Sequence, residues 1–527
     1  MKNIFLILLS VMLVFSACTT TDFEEAYPDP SKISVTTVEK QFTGFLQANK
    51  DYVVPSYWNY FVVYRITANR YTQAIGWVNS TNQYVPGGGA VGDRWGNFYG
   101  FLSQYREMQN IYEKLSDDDK ADRRIYMIAA TIYLYDAAQK VVDLHGDIPW
   151  SEAGMMSANG GDYTISLPKY DKAEDIYNKM LDDLKAFADE LNSITIKTGI
   201  QTGFKTQDIV NKGDITKWKK YCNSLRLRML TRVSGVASFQ SRATAEVNAI
   251  LGNSTNYPVV SKNDENIQIK IFDLSSPINS KGFRSGLEDW GGNYAGKAII
   301  DYMKANNDPR LPVMFQLGDS AKTGEYFGLD PLATIGEQEA FILTNKLSLY
   351  NRSTMSRNEF FPGVLVNASE VSFLAAEGYL KANNDAMAKA AYEAGITNSI
   401  KNYFLYRSVS NNNESGAVTV PTDEQIAAYI ASPQISWSGA TTTAAKMALI
   451  GMQKWIDYSV IQPLDNWAEV RRLNVPTLNF WVDQSDAQKQ PPVRWQYPDS
   501  EETYNTQNYS AVAAQDKITN KLFWDVN

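Results

Sequence analysis

The sequence is poor in the residues that many enzymes use for metal binding and nucleophilic catalysis. Its 527 residues include one histidine, His145, and two cysteines, Cys18 and Cys222. This count excludes a zinc site built on several histidines, and it excludes any Ser–His or Cys–His pair away from position 145. Cys18 lies in an N-terminal export signal. Cys222 is therefore left without a partner and is predicted to be a core thiol, and a disulfide framework is excluded.

An excess of positive charge is also missing. The chain has 50 basic and 58 acidic residues, a net charge of −8 and a pI of about 5.1. Proteins that bind nucleic acids need a basic surface, so we exclude nucleic acid as a partner.

The sequence also lacks domain linkers and a regular repeat. At about 150 residues per domain the length allows roughly three domains, but no Pro-rich or Ser-rich linker and no long charge run divides the chain. Helix pairs do not return every 34 residues or so, which excludes a regular tandem tetratricopeptide array. We therefore expect a single large domain over residues 37–527, with helix pairs separated by insertions of varying length.

The N-terminus has the pattern of a bacterial lipoprotein signal. A lysine at position 2 precedes an apolar run, Ile4 to Phe15, that is too short to span a bilayer as a mature helix. Small residues then lead to Cys18, as in a lipobox. We predict a signal peptide over residues 1–17, lipidation of Cys18, and a polar, acidic tether over residues 18–36. An ordinary signal peptide with a chance cysteine is the alternative.

The rest of the chain is predicted to be mainly α-helical. The central helix begins in the cluster Ser116 to Asp119, ends near Gly146, and cannot continue past Pro149. One face of this helix is predicted to be buried, because its apolar residues recur at helical spacing: Ile125, Ile128, Ala129, Ile132 and Tyr133. Further helices are predicted over 94–115, 170–191, 369–382, 385–404, 443–458 and 463–474, and from Asp214 onward.

Two other stretches are predicted to be irregular. Pro86 to Gly89 reads as a flexible loop. Its glycines match a dinucleotide-binding pattern by letter, which we reject because no apolar strand precedes them. Between Asn253 and Pro362 the helical period is largely lost, and so long a loop is expected to carry function.

Several segments resemble the SusD/RagB-like outer-membrane lipoproteins, in particular their second SusD-like branch. Asp143 to Ala153 is similar to the family segment D-L-Y-G-D-V-P-Y-S-E-A, with His145 where Tyr is usual and Trp150 where Tyr or Phe is usual. Three further segments appear in the expected order: 370–377 with 391–396, 453–456 with 467–472, and 492–501. The lipobox at Cys18 is a fifth element of the resemblance.

This resemblance implies a mainly α fold of tetratricopeptide-like helix pairs with long, loop-rich insertions. It implies a lipid-anchored protein at the cell surface of the outer membrane, with a SusC-like TonB-dependent barrel as its partner. Such a protein captures an oligosaccharide without chemistry and delivers it to the barrel. Some relatives capture peptides instead.

Two loops have the mixture of side chains that binds sugars. Aromatic rings stack on the C–H faces of a sugar, and Asn, Asp and Gln bond its hydroxyl groups. The predicted ligand-binding residues are Trp77, Asn79, Asn82 and Tyr84 in the first loop, and Asp289, Trp290, Asn293 and Tyr294 in the second. The alternative for each loop is that its aromatic residues anchor it to the scaffold. Tyr57 and Trp58 are second-rank candidates that we assign to the core.

A different class of protein, a secreted α-helical glycoside hydrolase, remains the alternative to a binding protein. Asp143, Asp147 and Glu152 could supply the two carboxylates of such an enzyme. We interpret Asp147 as a turn and capping residue and His145 as capping or packing. Glu469 and Arg472, spaced at i and i+3, are interpreted as a pair on a solvated face.

No catalytic residue, cofactor or metal site is predicted. The loops rich in Asp and Asn are compatible with a Ca²⁺ site, but no EF-hand-like spacing supports one. A lid that binds only the barrel is a third functional possibility.

Overall fold

The computed structural model describes residues 36–485 and 488–527. The predicted signal peptide, the lipidated Cys18 and nearly all of the tether lie outside the described residues. Within them the fold is mainly α-helical, as predicted. Among the described helices, none combines the length and the apolar character that a bilayer-spanning helix needs.

The helices are numbered here in chain order. The first half of the chain contains α1 (Val38–Ala48), α2 (Lys50–Val53), a π-helix (Trp58–Tyr64), α3 (Ala68–Tyr71), α4 (Gly88–Glu113), α5 (Asp117–His145), α6 (Ala173–Ser193), α7 (Thr198–Gln207), α8 (Ile215–Val233) and α9 (Gln240–Gly252). The middle contains α10 (Phe283–Glu288), α11 (Lys297–Ala305), α12 (Leu311–Met314) and α13 (Ile335–Leu343). The last part contains α14 (Ala368–Lys381), α15 (Asp385–Ser408), α16 (Asp423–Ile430), α17 (Thr443–Tyr458), α18 (Pro463–Leu473), α19 (Asp499–Tyr504) and α20 (Thr506–Tyr509).

Short strands form three antiparallel pairs in the described part of the chain. The pairs are β1 (Ile148–Pro149) with β2 (Tyr170–Asp171), β3 (Ile267–Ile269) with β6 (Gly363–Val366), and β4 (Phe315–Gln316) with β5 (Leu349–Tyr350). Each pair joins segments that are distant in sequence, so the strands fix loops to the helical scaffold.

The central helix α5 begins and ends as predicted. The Ser116 hydroxyl accepts a hydrogen bond from the Asp119 amide at 3.2 Å, and Gly146 terminates the helix with a φ of 82°. The prediction of one buried face was too narrow, because every residue from Ile125 to Gln139 is buried. A helix that is enclosed on all sides lies in the middle of its domain.

Three predicted boundaries were wrong. The glycines at positions 88 and 89 form the first turn of α4 and not a flexible loop, since Gly87 already occupies the N-cap position. Tyr170 and Asp171 pair with Ile148 and Pro149 as a strand, so α6 begins only at Ala173. The segment 253–362 contains α10 to α13 and is less irregular than its sequence suggests.

The predicted helix pairs near the C-terminal end are confirmed. Helices α14 and α15 are joined by a short turn and pack closely, because Gly395 leaves room for the ring of Phe373. Asn367 caps α14 by accepting a hydrogen bond from the Glu370 amide at 2.8 Å. The Glu370 side chain does not complete a capping box, because it pairs with Arg228 at 2.5 Å.

A buried ionic network runs through the interface between these pairs and helices α5 and α8. Lys454 on α17 is fully buried, and its ammonium group contacts the carboxylates of Glu377 and Glu469. Arg472 contacts the same two carboxylates at 2.8 and 2.6 Å. The predicted pairing of Glu469 with Arg472 is therefore confirmed, but the expectation of a solvated face was wrong.

Replacing Lys454 with methionine is expected to destabilise the protein strongly. The change leaves two buried carboxylates with one cation fewer, and breaking a buried ion pair costs about 3–5 kcal/mol. The control is Lys389→Met, which removes a half-exposed lysine from a pair with Glu393 at 3.8 Å and is expected to cost less than about 0.5 kcal/mol. Urea denaturation measures both. Equal stability of the two variants would contradict the structural role of the network.

Candidate functional site

The first predicted loop is largely buried. Trp77 is 8% exposed, and its indole nitrogen donates to the Gln83 side chain at 2.8 Å. Asn79 contacts α13, because its backbone N–H donates to the side-chain oxygen of Gln338 at 2.7 Å. Tyr84 is fully buried and donates to the carbonyl oxygen of Trp481 at 2.7 Å. These contacts favour the alternative that this loop is anchored to the scaffold, and they leave Asn82 as its exposed residue, with a φ of 63°.

The second predicted loop presents one fully accessible ring. Trp290 is 92% exposed, and Asp289 beside it is also exposed. Trp290 and Gly291 have φ angles of 58° and 70°, so the chain turns sharply here and directs the indole away from the protein. Asn293 is buried and Tyr294 is half-buried. The Tyr294 ring supports the turn, because it packs against Gly291.

The two predicted loops are neighbours through their backbones. The Gly76 amide donates to the carbonyl oxygen of Tyr294 at 2.8 Å, and Ile75 forms an isolated antiparallel bridge with Ala295. The structure therefore brings both loops to one region, although only the second contributes an exposed aromatic ring.

A third segment supplies further exposed aromatic rings. The sequence analysis assigned Tyr57 and Trp58 of this segment to the core, which was wrong. Trp58 is 57% exposed, and Tyr57 and Phe61 are half-buried. Tyr57 stacks on Phe61 with a centroid distance of 4.9 Å and meets Trp58 edge-on at 5.9 Å. These residues lie at and within the π-helix, a rare conformation that is frequent at functional sites.

Arg65 connects this segment to the turn at Trp290. Its guanidinium lies 3.9 Å from the centroid of the Phe61 ring and donates to the backbone oxygen of Asp289. Burial lowers the pKa of Arg65, and the Asp289 carboxylate opposes that effect. We call the set Tyr57, Trp58, Phe61, Arg65 and Trp290 the aromatic platform.

Helix α10 holds the platform from behind. A side chain at Gly286 would collide with the backbone oxygen of Ser56 at 2.7 Å, and one at Gly282 would approach the Tyr57 nitrogen at 2.9 Å. Gly282 and Gly286 are the sequence signal for the platform, because they permit this close approach. The signal can be recognised only once the segment that packs against them is known.

The carboxylates considered for hydrolysis have structural partners. Asp143 is buried and contacts Tyr177 at 2.6 Å and Arg232 at 2.9 Å. Asp147 is confirmed as a capping residue, since it accepts a hydrogen bond from the Ala173 amide at 2.8 Å. Its second oxygen accepts from Gln515 at 3.0 Å. Glycoside hydrolysis needs one free acid and one free base or nucleophile, and these two residues are committed to the scaffold.

His145 and Cys222 are buried side chains of the scaffold. The His145 ring is fully buried between Trp95 and Tyr497, so it packs, as predicted. The Cys222 thiol is buried and donates to the Leu184 carbonyl oxygen, and burial raises its pKa to about 12. In the described residues, no three His, Cys, Asp or Glu side chains are arranged to hold a metal ion.

Comparison with known proteins shows the family. The model of the SusD-like_2 family, described as starch-binding and associating with the outer membrane, matches residues 52–498. The chain belongs to the SusD-like family. This confirms the resemblance seen in the sequence. No functionally curated protein matches the chain.

Solved structures of other SusD-like proteins share the fold. A structure described as Bacteroidetes AC2a SusD-like has a TM-score of 0.74 and 23% identity, and the match covers 93% of this chain and all of the other. A SusD homologue from Parabacteroides distasonis has a TM-score of 0.73, 20% identity, and coverage of 93% and 98%. A chitin-binding SusD homologue from Flavobacterium johnsoniae has a TM-score of 0.69, 22% identity, and coverage of 92% and 99%.

Substitution of Trp77 and of Trp290 should show which of the two rings stabilises the fold. Trp77→Ala removes a buried ring and is expected to destabilise the SusD-like fold by about 3 kcal/mol or more. Trp290→Ala removes an exposed ring and is expected to change stability by less than about 0.5 kcal/mol. Urea denaturation measures both values. A large loss in Trp290→Ala would show that this ring packs in the fold.

His145 should make stability depend on pH. Burial, and then the charge of Arg494, lower the pKa of His145 well below its ordinary value. Between the lowered pKa and the ordinary value near 6.5, the unfolded chain binds more protons than the folded protein. Stability therefore falls as the pH drops below about 6.5, by up to about 1.4 kcal/mol per pH unit.

The test compares the wild type with His145→Phe, which keeps a ring between Trp95 and Tyr497. Urea denaturation at pH 7 and pH 5 should show a smaller loss of stability for the variant, while all other titrating groups are shared. Identical losses in the two proteins would mean that His145 is protonated in the folded state.

Proposed function

We propose that the protein is a surface-exposed lipoprotein of the outer membrane that binds an oligosaccharide without chemistry and delivers it to a SusC-like TonB-dependent transporter. The observation that carries the binding role is the aromatic platform, whose Trp290 and Trp58 are 92% and 57% exposed. A contiguous patch of exposed aromatic rings marks a binding surface, whereas a single exposed ring does not. The lipobox at Cys18 supports the lipid anchor, and family membership supports the barrel partner; both are parts of the proposal.

The platform offers what a sugar chain needs. The indole rings of Trp290 and Trp58 accept the C–H faces of successive sugar units by stacking. The Asp289 carboxylate is exposed beside Trp290 and makes no hydrogen bond to another described side chain, so it can accept bonds from hydroxyl groups. Stacking and hydrogen bonding make and break no covalent bond, and the proposal therefore requires no catalytic residue and no cofactor.

The choice of ligands for a first test follows from the family. The family model is described as starch-binding, and two similar structures are described as chitin-binding proteins. We therefore place malto-oligosaccharides and chito-oligosaccharides at the head of a panel that also includes plant and host glycans. Peptides form a second panel, because peptide capture is the alternative within the family.

The experiment is calorimetric titration of soluble protein lacking residues 1–18, with Trp290→Ala, Trp58→Ala and the double variant alongside. Each single change is expected to weaken the binding of the preferred glycan by about tenfold, which corresponds to about 1.4 kcal/mol. The matched control is Tyr504→Ala, since Tyr504 is 68% exposed on α19 and is not part of the platform. This variant should bind like the wild type.

Three results would contradict the proposal. Binding that is the same in the wild type and the double variant would remove the platform from the site. Cleavage of the bound glycan, seen by chromatography after the titration, would favour the hydrolase alternative. Binding confined to the peptide panel would replace the oligosaccharide with a peptide ligand.

A further inference from the structure

A second groove has no lining residue in common with the platform. Its volume is about 560 Å³, within the range of sites that bind small molecules. One side is formed by the chain around β3, from Asn263 to Phe272, and the other by the last turns of α15. Phe360 and Pro362, which precede β6, close one end.

The floor of the groove is the outer face of an extended segment. Ile267 and Ile269 are buried in the hydrophobic core, whereas the alternating residues Gln268, Lys270 and Phe272 line the groove. Phe272 is 70% exposed, and the Lys212 ammonium lies 5.8 Å from the centroid of its ring. The groove together with the exposed ring, and not the ring alone, indicates a binding surface.

Some polar groups of the groove lack partners within the described part of the protein, whereas Asn266, Asn402 and Tyr406 bond one another. The side-chain oxygen of Asn263 is buried without a hydrogen bond, while its amide donates to the Asn398 carbonyl oxygen at 2.9 Å. The side chains of Asp264, Gln268 and Lys270 make no hydrogen bond or ion pair to another described residue. A buried unpaired acceptor is costly, and a ligand that donates to it recovers that cost.

The opposite wall is aliphatic. Leu405 and Val409 lie one helical turn apart on α15 and are 47% and 50% exposed. The groove thus combines an aromatic ring, a free amide group, an unpaired amide oxygen and a patch of methyl groups. An acetamido sugar has the matching parts: a ring with a C–H face, an amide, and a methyl group.

We propose that this groove is a second saccharide site, specific for sugars that carry acetamido groups. Phe272 stacks on the sugar ring, the unpaired side-chain oxygen of Asn263 and the free amide group of Gln268 bond the acetamido group, and Leu405 and Val409 receive its methyl group. The inference rests on the proposed role in glycan binding. It adds a second contact point, so that a long glycan can engage the protein at two places.

The experiment uses two trisaccharides with the same β-1,4 linkage. Tri-N-acetylchitotriose carries acetamido groups and cellotriose carries none. Each is titrated into the wild type, Phe272→Ala, the Trp58→Ala/Trp290→Ala double variant, and the control Tyr504→Ala. Hydrogen–deuterium exchange, read separately at residues 266–273 and at the platform, reports which site is occupied.

We expect tri-N-acetylchitotriose to protect residues 266–273 in the wild type, in the platform double variant and in Tyr504→Ala. Phe272→Ala should weaken that binding at least tenfold, and its melting temperature should stay that of the wild type because the ring is exposed. Cellotriose should leave the exchange at 266–273 unchanged.

The outcomes separate this inference from the proposed function. Protection of the platform without protection of 266–273 would overturn the groove and leave the platform intact. Protection of residues 266–273 in the wild type and in the double variant, with no protection of the platform in the wild type, would support the groove. The same result would contradict the binding role of the platform. Equal protection by cellotriose, or unchanged binding in Phe272→Ala, would overturn the acetamido assignment.

Discussion

The buried ionic network is the constraint on which the rest of the structure depends. It consists of two clusters of charged side chains from five helices. The first cluster contains Asp136 and Lys140 of α5, Arg228 of α8, Glu370 of α14 and Asp465 of α18. The second contains Asp143 of α5, Arg232 of α8, Glu377 of α14, Lys454 of α17, and Glu469 and Arg472 of α18. Each charge loses its water on burial, and that loss is recovered only when all partners are in place. The network therefore requires one arrangement of these helices.

The protonation of the network follows from the same contacts. Burial alone would raise the pKa of Glu469, but Arg472, Lys454 and Arg232 hold that pKa well below its ordinary value. The carboxylate is thus charged in the folded protein and binds all three cations. Such a group specifies helix positions more strictly than apolar packing does, because a displaced apolar side chain still finds apolar neighbours.

The scaffold fixed in this way also places the aromatic platform. The indole nitrogen of Trp455 on α17 donates to the Thr72 carbonyl oxygen at 2.8 Å. The Tyr60 hydroxyl of the π-helix donates to the Val460 carbonyl oxygen, in the turn between α17 and α18, at 2.8 Å. The segment with the exposed rings is thus attached to the turn between two helices of the network, and the chain that follows it is attached to one of these helices.

The scaffold could be predicted from the sequence to a large extent, and the site only in part. Caps such as Ser116 and Asn367 act on residues three positions away, so local spacing reveals them. The difference between Trp77 and Trp290 is not local, since both lie among Asn, Gly and Tyr. Trp77 is buried because its loop contacts α13, and Asn79 and its partner Gln338 are 259 positions apart. Trp58 was misassigned because it lies in an apolar, aromatic run whose outward face depends on the π-helix.

The exposure of Trp290 has a consequence for how the protein can evolve. The ring contributes little to folding, because most of its surface is in water both before and after folding. In the proposed binding role, its replacement would alter recognition without drawing on the stability that the network provides. Under that proposal, related proteins that keep these helices can change ligand by changing a few surface rings, at a cost in affinity and not in stability.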